Sequence, residues 1–178
     1  MHILLTRPLE DCSEMILKFK SLGHQVSHLP LLSIDKINYD QIDFSNYEGI
    51  IFTSANAVKF LNLKQIDKKI FCFCVGNATE KKARDSGFQN VITAEGNVNN
   101  LKELVLQNFN QKHGGLIYVS GELVSTDLDQ QLIKEGYKID RVINYKTTHN
   151  QKFDEKFVTD LKLNIPDMVY IYSQNSAQ

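Results

Sequence analysis

A chain of 178 residues with a net charge of −1, 42% apolar and 23% charged side chains has the balance of a soluble globular protein, as one large domain or two small ones. No basic excess points to nucleic acid, and the longest apolar runs, Ile3-Leu4-Leu5 and Ile50-Ile51-Phe52, are strand-sized and too short to span a bilayer. The N-terminus goes straight into a strand, without the basic segment, apolar stretch and cleavage site of an export leader, so a cytoplasmic location is expected.

In chain order, His2 to Leu5 reads as a strand broken by Thr6-Arg7-Pro8. Glu10 to Ser21 places Met15, Ile16, Phe19 and Leu22 on one helical face, and Gly23 ends it. Gln25 to Leu29 is a strand stopped by Pro30, and Ile50 to Phe52 is another, followed by a short helix through Val58 and Phe60. Ile70 to Val75 is a strand that runs into Gly76-Asn77-Ala78-Thr79 and a Lys-rich helix ending at Ser86-Gly87. Val91-Ile92 is a brief strand, and Asn99 to Asn108 repeats Leu and Val at helical spacing. Leu116 to Val119 is a strand ending in a Ser120-Gly121-Glu122 loop. A helix is expected over Leu123 to Lys134, a long strand over Tyr137 to Tyr145, a helix over Asp154 to Leu163 and a last strand over Met168 to Tyr172. This alternation implies an α/β fold with parallel sheets covered by helices on both faces. In such sheets ligands bind beyond the carboxyl ends of the strands. The functional residues are therefore expected in Thr6-Arg7, Thr53 to Asn56, Gly76 to Thr79, Ser120-Gly121 and Ser173 to Ser176.

Ser33 to Ser45, polar and without helical period, and Lys146 to Lys152, rich in Thr, His and Asn, read as linkers. They divide the chain into an outer domain, 1–33 plus 149–178, and an inserted middle domain, 38–144, joined at 34–37 and 145–148. The outer domain would hold only the strands near the two ends, so it is expected to be incomplete at its C-terminal side. Three cysteines make no disulfide framework. Cys72 and Cys74, two apart in a strand, point to one face and read as buried and inert, and no metal site is expected.

Two segments repeat one another. Ile50-Ile51-Phe52-Thr53-Ser54-Ala55-Asn56-Ala57 is an apolar strand, then Ser-x-Asn, then the first turn of a helix. Val169-Tyr170-Ile171-Tyr172-Ser173-Gln174-Asn175-Ser176 follows the same plan. A strand that ends in hydroxyl and amide residues before a helix leaves backbone N–H groups and a partial positive charge facing outward. One copy alone reads more readily as an ordinary N-cap. Two copies suggest paired half-sites for a ligand that is acidic at both ends.

These segments, with Leu4-Leu5-Thr6-Arg7-Pro8, Leu29-Pro30-Leu31-Leu32, Cys74-Val75-Gly76-Asn77-Ala78-Thr79, Glu95-Gly96-Asn97, Val119-Ser120-Gly121 and Val142-Ile143-Asn144-Tyr145-Lys146-Thr147, run over the whole chain in an order that resembles the uroporphyrinogen-III synthase family. Asn56 and Gln174 stand where many members carry a proline or a basic residue, and the family's last segment has no counterpart here. The resemblance implies two flavodoxin-like parallel-sheet domains joined by a two-stranded linker, in a cofactor-free, monomeric lyase of bacterial type in porphyrin and heme biosynthesis. Its reaction closes linear hydroxymethylbilane with loss of water and inversion of the last pyrrole ring. Substrate-binding residues carried over are Arg7, Thr53, Ser54, Ala55, Asn56, Gly76, Asn77, Ala78, Thr79, Ser120, Gly121, Ser173, Gln174, Asn175 and Ser176. Tyr145 matches the tyrosine that assists departure of the terminal hydroxyl, while as a bare residue it reads equally as an aromatic packed at a domain edge.

Other classes fit less well. Two α/β lobes with a double linker also describe a non-catalytic protein that closes on a small molecule, but exported members of that class carry a leader. A receiver needs clustered acids after its first strand, where Thr6-Arg7-Pro8 stands. A nucleotide module needs a Gly-rich loop, which is lacking. Lys59, Lys81, Lys82 and Arg84 could add charge to the site, although the lysines read chiefly as a solvated helix face.

Overall fold

The structure is a computed structural model that describes residues 1–112 and 114–171. In chain order the elements are β1 (His2–Leu5), α1 (Leu9–Ser21), β2 (Gln25–His28), β3 (Leu32–Lys36), β4 (Tyr47–Phe52), α2 (Ala55–Phe60), β5 (Phe71–Val75), α3 (Asn77–Asp85), β6 (Asn90–Ala94), α4 (Val98–Asn108), β7 (Gly115–Gly121), α5 (Leu128–Lys134), β8 (Ile139–His149), α6 (Glu155–Leu163) and β9 (Met168–Tyr170). Single 3₁₀ turns precede β4 and β5. The chain divides into two compact units, Met1–Asp35 with Thr147–Gln178, and Lys36–Lys146.

The first unit holds a three-stranded parallel sheet in the order β2-β1-β9. Ile3, Leu5 and Cys12 form its buried centre, with Met15, Ile16, Phe19, Val26 and Tyr170 packed around them. Leu22, expected on the buried face of α1, is instead exposed, because it lies past the helix end where Gly23 takes a positive φ of 81°.

The second unit carries β8-β7-β4-β5-β6, all parallel. Alternation along β4 decides its two cores. Ile50 and Phe52 pack with Cys72, Cys74, Ile117 and Val119 beneath Ala57, Val58 and Ala83 of α2 and α3. Ile51 packs with Phe73, Leu116 and Tyr118 beneath Leu101, Val105, Leu128 and Leu132 of α4 and α5. Helices thus cover both faces, as the alternation implied, and the flavodoxin-like α/β architecture is the one that the resemblance implied.

The expected two-stranded linker is present, while two element boundaries are corrected. Leu32–Lys36 alternates apolar and polar side chains and forms β3 beside β8. The two run in opposite directions, since Asn150 N–H donates to the Leu31 carbonyl at one end and Ile37 N–H to the Asn144 carbonyl at the other, each at 2.9 Å. The stretch after Tyr145 continues as strand to His149 for the same reason. The helix expected from Leu123 starts only at Leu128, because Ser125-Thr126-Asp127 favour turn and cap conformations over helix interior, and Leu123 is left exposed. Finally, Ser120 and Gly121 belong to β7 itself rather than to a loop after it.

Candidate functional site

In the second unit the strand order reverses about β4, with β5 and β6 on one side and β7 and β8 on the other. Open α/β sheets bind ligands at the carboxyl edge of such a reversal. Thr53, just after β4, and Tyr118, on β7, meet across it, their hydroxyl oxygens 3.1 Å apart. Beside them lies a small cavity of about 180 Å³, bounded also by Leu123, Val124, Ser125 and Tyr145. Two larger concavities of about 500 Å³ are lined by Phe109 and Lys112, and by Ile42 and Phe44. Those residues precede β7 and β4, at the opposite edge of the sheet.

Thr53, Ser54, Ala55 and Asn56 are all half-buried at the end of β4. Ser54 behaves as an N-cap, its hydroxyl accepting from the Asn56 N–H at 3.2 Å. Gly76 opens α3 with a φ of 76°, and no side chain caps that helix. Its next two residues, Asn77 and Ala78, are exposed. Thr79 is different from the expectation: its side chain is buried on the core face of α3, since the third residue of the helix has turned inward.

Ser120 is fully buried and already engaged. Its hydroxyl donates to the Gly121 carbonyl at 3.0 Å and accepts from Arg141 Nε at 2.9 Å. Arg141 Nη2 donates further to the Gly121 carbonyl, and its guanidinium lies 5.9 Å from the centre of the Tyr118 ring. Burial pushes the Tyr118 phenol up, against the opposing effects of its hydrogen bond with Thr53 and of Arg141. Gly121 lies against Tyr145: a Cβ there would stand 2.7 Å from Tyr145 Cζ and 2.9 Å from its hydroxyl. Tyr145 also packs against Phe60, ring centres 6.5 Å apart.

One unit therefore brings together Thr53–Asn56, Gly76–Ala78, Gly121 and Tyr145 along the carboxyl edge of one sheet. Arg7 belongs to the other unit, exposed after β1, with Nε 3.8 Å from the Asp11 carboxylate. Ser173, Gln174, Asn175 and Ser176 lie outside the described residues. Sequence reasoning missed Tyr118, Arg141 and the Leu123–Ser125 segment. Only the pairing of β7 with β4 and β8 reveals them, and no spacing in the sequence encodes it.

Among the described residues no group of three or more His, Cys, Asp or Glu could hold a metal ion, and no helix is long and apolar enough to cross a membrane. Cys72 and Cys74 are buried, as expected, with their sulfurs 3.8 Å apart; that contact and burial push the Cys72 thiol well above its ordinary range.

The family model described as uroporphyrinogen-III synthase HemD matches residues 13–178. Among solved structures, uroporphyrinogen-III synthetase from Helicobacter pylori superposes with a TM-score of 0.63 at 15% identity, over 99% of this chain and 75% of that one. A mutant uroporphyrinogen III synthase from the extremely thermophilic bacterium Thermus thermophilus gives a TM-score of 0.55 at 13% identity, over 95% of this chain and 71% of that one. At these identities the two likenesses speak for the fold. No curated protein sequence matches. The family model spans nearly the whole chain and the folds agree: this chain belongs to the uroporphyrinogen-III synthase family of lyases.

Proposed function

We propose that this chain takes hydroxymethylbilane and closes it to uroporphyrinogen III. The observation that carries the reading is the convergence of strand-end amides and hydroxyls with a cavity-facing phenol at one sheet reversal. The substrate is rich in carboxylates, and backbone N–H groups at strand ends suit them without any cluster of cations. Thr53–Asn56, Gly76–Ala78 and Gly121 supply one set, while Arg7 and 173–176 supply the other. Thr79, at 4% exposure, contributes only through its backbone N–H, and Ser120, wholly buried, contributes by holding Arg141 against the end of β7.

The chemistry asked of the protein is mainly positional. The pyrrole nitrogen already drives loss of the terminal hydroxyl as water, and the new carbon–carbon bond must then form at the substituted carbon of the last ring. Tyr145 donates a hydrogen bond to the departing hydroxyl, a contribution of roughly a hundred- to ten-thousandfold for general acid catalysis. In this reading the domains are 1–33 with 149–178, and 38–144, and the protein works as a cytoplasmic monomer. The test is incubation with freshly generated hydroxymethylbilane and separation of the isomers. Type III product without added metal or nucleotide supports the reading. Type I product at the spontaneous rate overturns it, and saturable binding without turnover would favour a non-catalytic binder.

A further inference from the structure

Along most of their length β7 and β8 pair one residue to one, Tyr118 with Arg141 and Ser120 with Ile143. The next pair is Gly121 with Tyr145, so Asn144 is an extra residue, a bulge at the end of the ladder. The bulge changes which way the chain faces. Val142 and Tyr145 pack against the same core, although three residues apart in a strand they would ordinarily face opposite sides. Asn144, between them, is fully buried.

Its carboxamide has a specific task. α2 ends so early that its Leu61 N–H returns to the Val58 carbonyl rather than to that of Ala57. Asn144 Nδ2 donates to the Ala57 carbonyl at 2.7 Å. The main-chain carbonyl of Asn144 accepts from Ile37 N–H at 2.9 Å, which holds the bulge from the other side. Asn144 Oδ1, also buried, has no partner among the described residues. Turning the amide over would set Oδ1 against the Ala57 oxygen, so the donor orientation is fixed by the acceptor it meets. A buried acceptor is left unsatisfied while the donor is retained, which marks the N–H₂ as the group in use.

We propose that Asn144 is a positioning residue that ties α2, and with it the Ser54–Asn56 segment, to the strand that aims Tyr145. Here the bulge presents the phenol to the cavity, and the amide bond keeps the α2 turn and the phenol in fixed register. The inference rests on the role given to Tyr145 above.

The test is a double-mutant cycle on the full chain with hydroxymethylbilane as substrate. Asn144→Leu keeps the branched shape, with larger ends, and removes the donor; Asn144→Ser, smaller, carries the test where Leu does not fold. Thermal melting establishes the folded fraction of each variant. In the wild-type background each substitution is expected to lower kcat roughly tenfold, the scale of a misplaced catalytic group, with a smaller change in KM. In a Tyr145→Phe background the same substitution should lower kcat less than about twofold, because the group it positions is gone. A purely structural role would give the same fold-loss in both backgrounds and overturns the proposal, as does normal kcat in either folded variant. Full kcat in Tyr145→Phe alone would sink the reading of Tyr145 and the coupling with it. A slowed Tyr145→Phe beside a normal Asn144→Ser would sink the coupling alone.

Discussion

Gly121 shows how a residue without a side chain can carry function. A Cβ at this position would come within 2.7 Å of Tyr145 Cζ, closer than nonbonded carbons sit, and what must yield is the far end of the Tyr145 side chain rather than backbone. Gly121→Ala is therefore expected to fold with a change in stability within about 1–3 kcal/mol, the range for an added methyl group in a packed site. Its kcat should fall toward that of Tyr145→Phe. Isomer-resolved kinetics beside a melting curve check this, and unchanged kcat would show that the phenol can move without consequence. Gly49 makes the useful contrast: a Cβ there meets Leu116 at 2.5 Å and Phe109 at 2.9 Å, inside the core, where the loss would be one of stability. At this scale much was legible in the sequence. The Ser54 cap, the Gly76 opening and the buried cysteine pair follow from residue type and immediate neighbours. The burial of Thr79 and Ser120 was not legible, because it depends on which face of the element meets the core.

Elements were read well where period and boundary residues agreed, and poorly where they competed. α4 is the clear case of agreement. Leu101 and Val105 repeat on the buried face, and Asn97 with Asn100 closes a reciprocal capping box at its start. α5 is the opposite case, for apolar residues from Leu123 onward suggested a longer helix than Ser125-Thr126-Asp127 allow. Strand pairing is the level the sequence hides most. Tyr47, opening β4, donates its phenol to Asp140 of β8 at 2.8 Å across 93 positions of chain. Burial, with the Asp140 carboxylate, pushes that phenol from 10.0 up to about 12. The folded state thus keeps a proton that the unfolded chain releases near its ordinary value. The resulting stabilisation is fully present below that value and is lost as pH rises through the folded one. Denaturant midpoints should fall between about pH 10 and about pH 12, and fall less in Tyr47→Phe. Tyr118 and Tyr137 are shifted in the same direction, so part of the decline should persist in the variant. An identical decline in both proteins would remove Tyr47 from the account.

For the whole molecule, the two units differ in how much core they own. The second has an apolar cluster on each face of its sheet, with Ile50, Ile51, Phe52, Phe73 and Leu116 fully buried. The first, among the described residues, buries Ile3, Leu5 and Cys12 at its centre, and α6 has no buried residue at all. Several of its apolar side chains face outward, Leu163 at 83% and Ile165 at 76% exposure, with Met168 and Val169 near half. Free energy of opening follows buried apolar area, at about 25 cal/mol per Å², so local stability should follow the same division. Amide hydrogen exchange under native conditions is expected to be slowest in β4, β5 and β7. It should be faster in β1 and β2, and fastest in α6. Added hydroxymethylbilane analogue that does not cyclise should slow exchange after β4 and β5, at Ala55, Asn77 and Ala78, because backbone N–H groups there would be held by carboxylates. Uniform protection across both units would mean that they open as one body. Ligand-induced protection confined to side-chain-rich helix faces such as Lys81, Lys82 and Arg84 would shift the recognition from strand-end amides to cations.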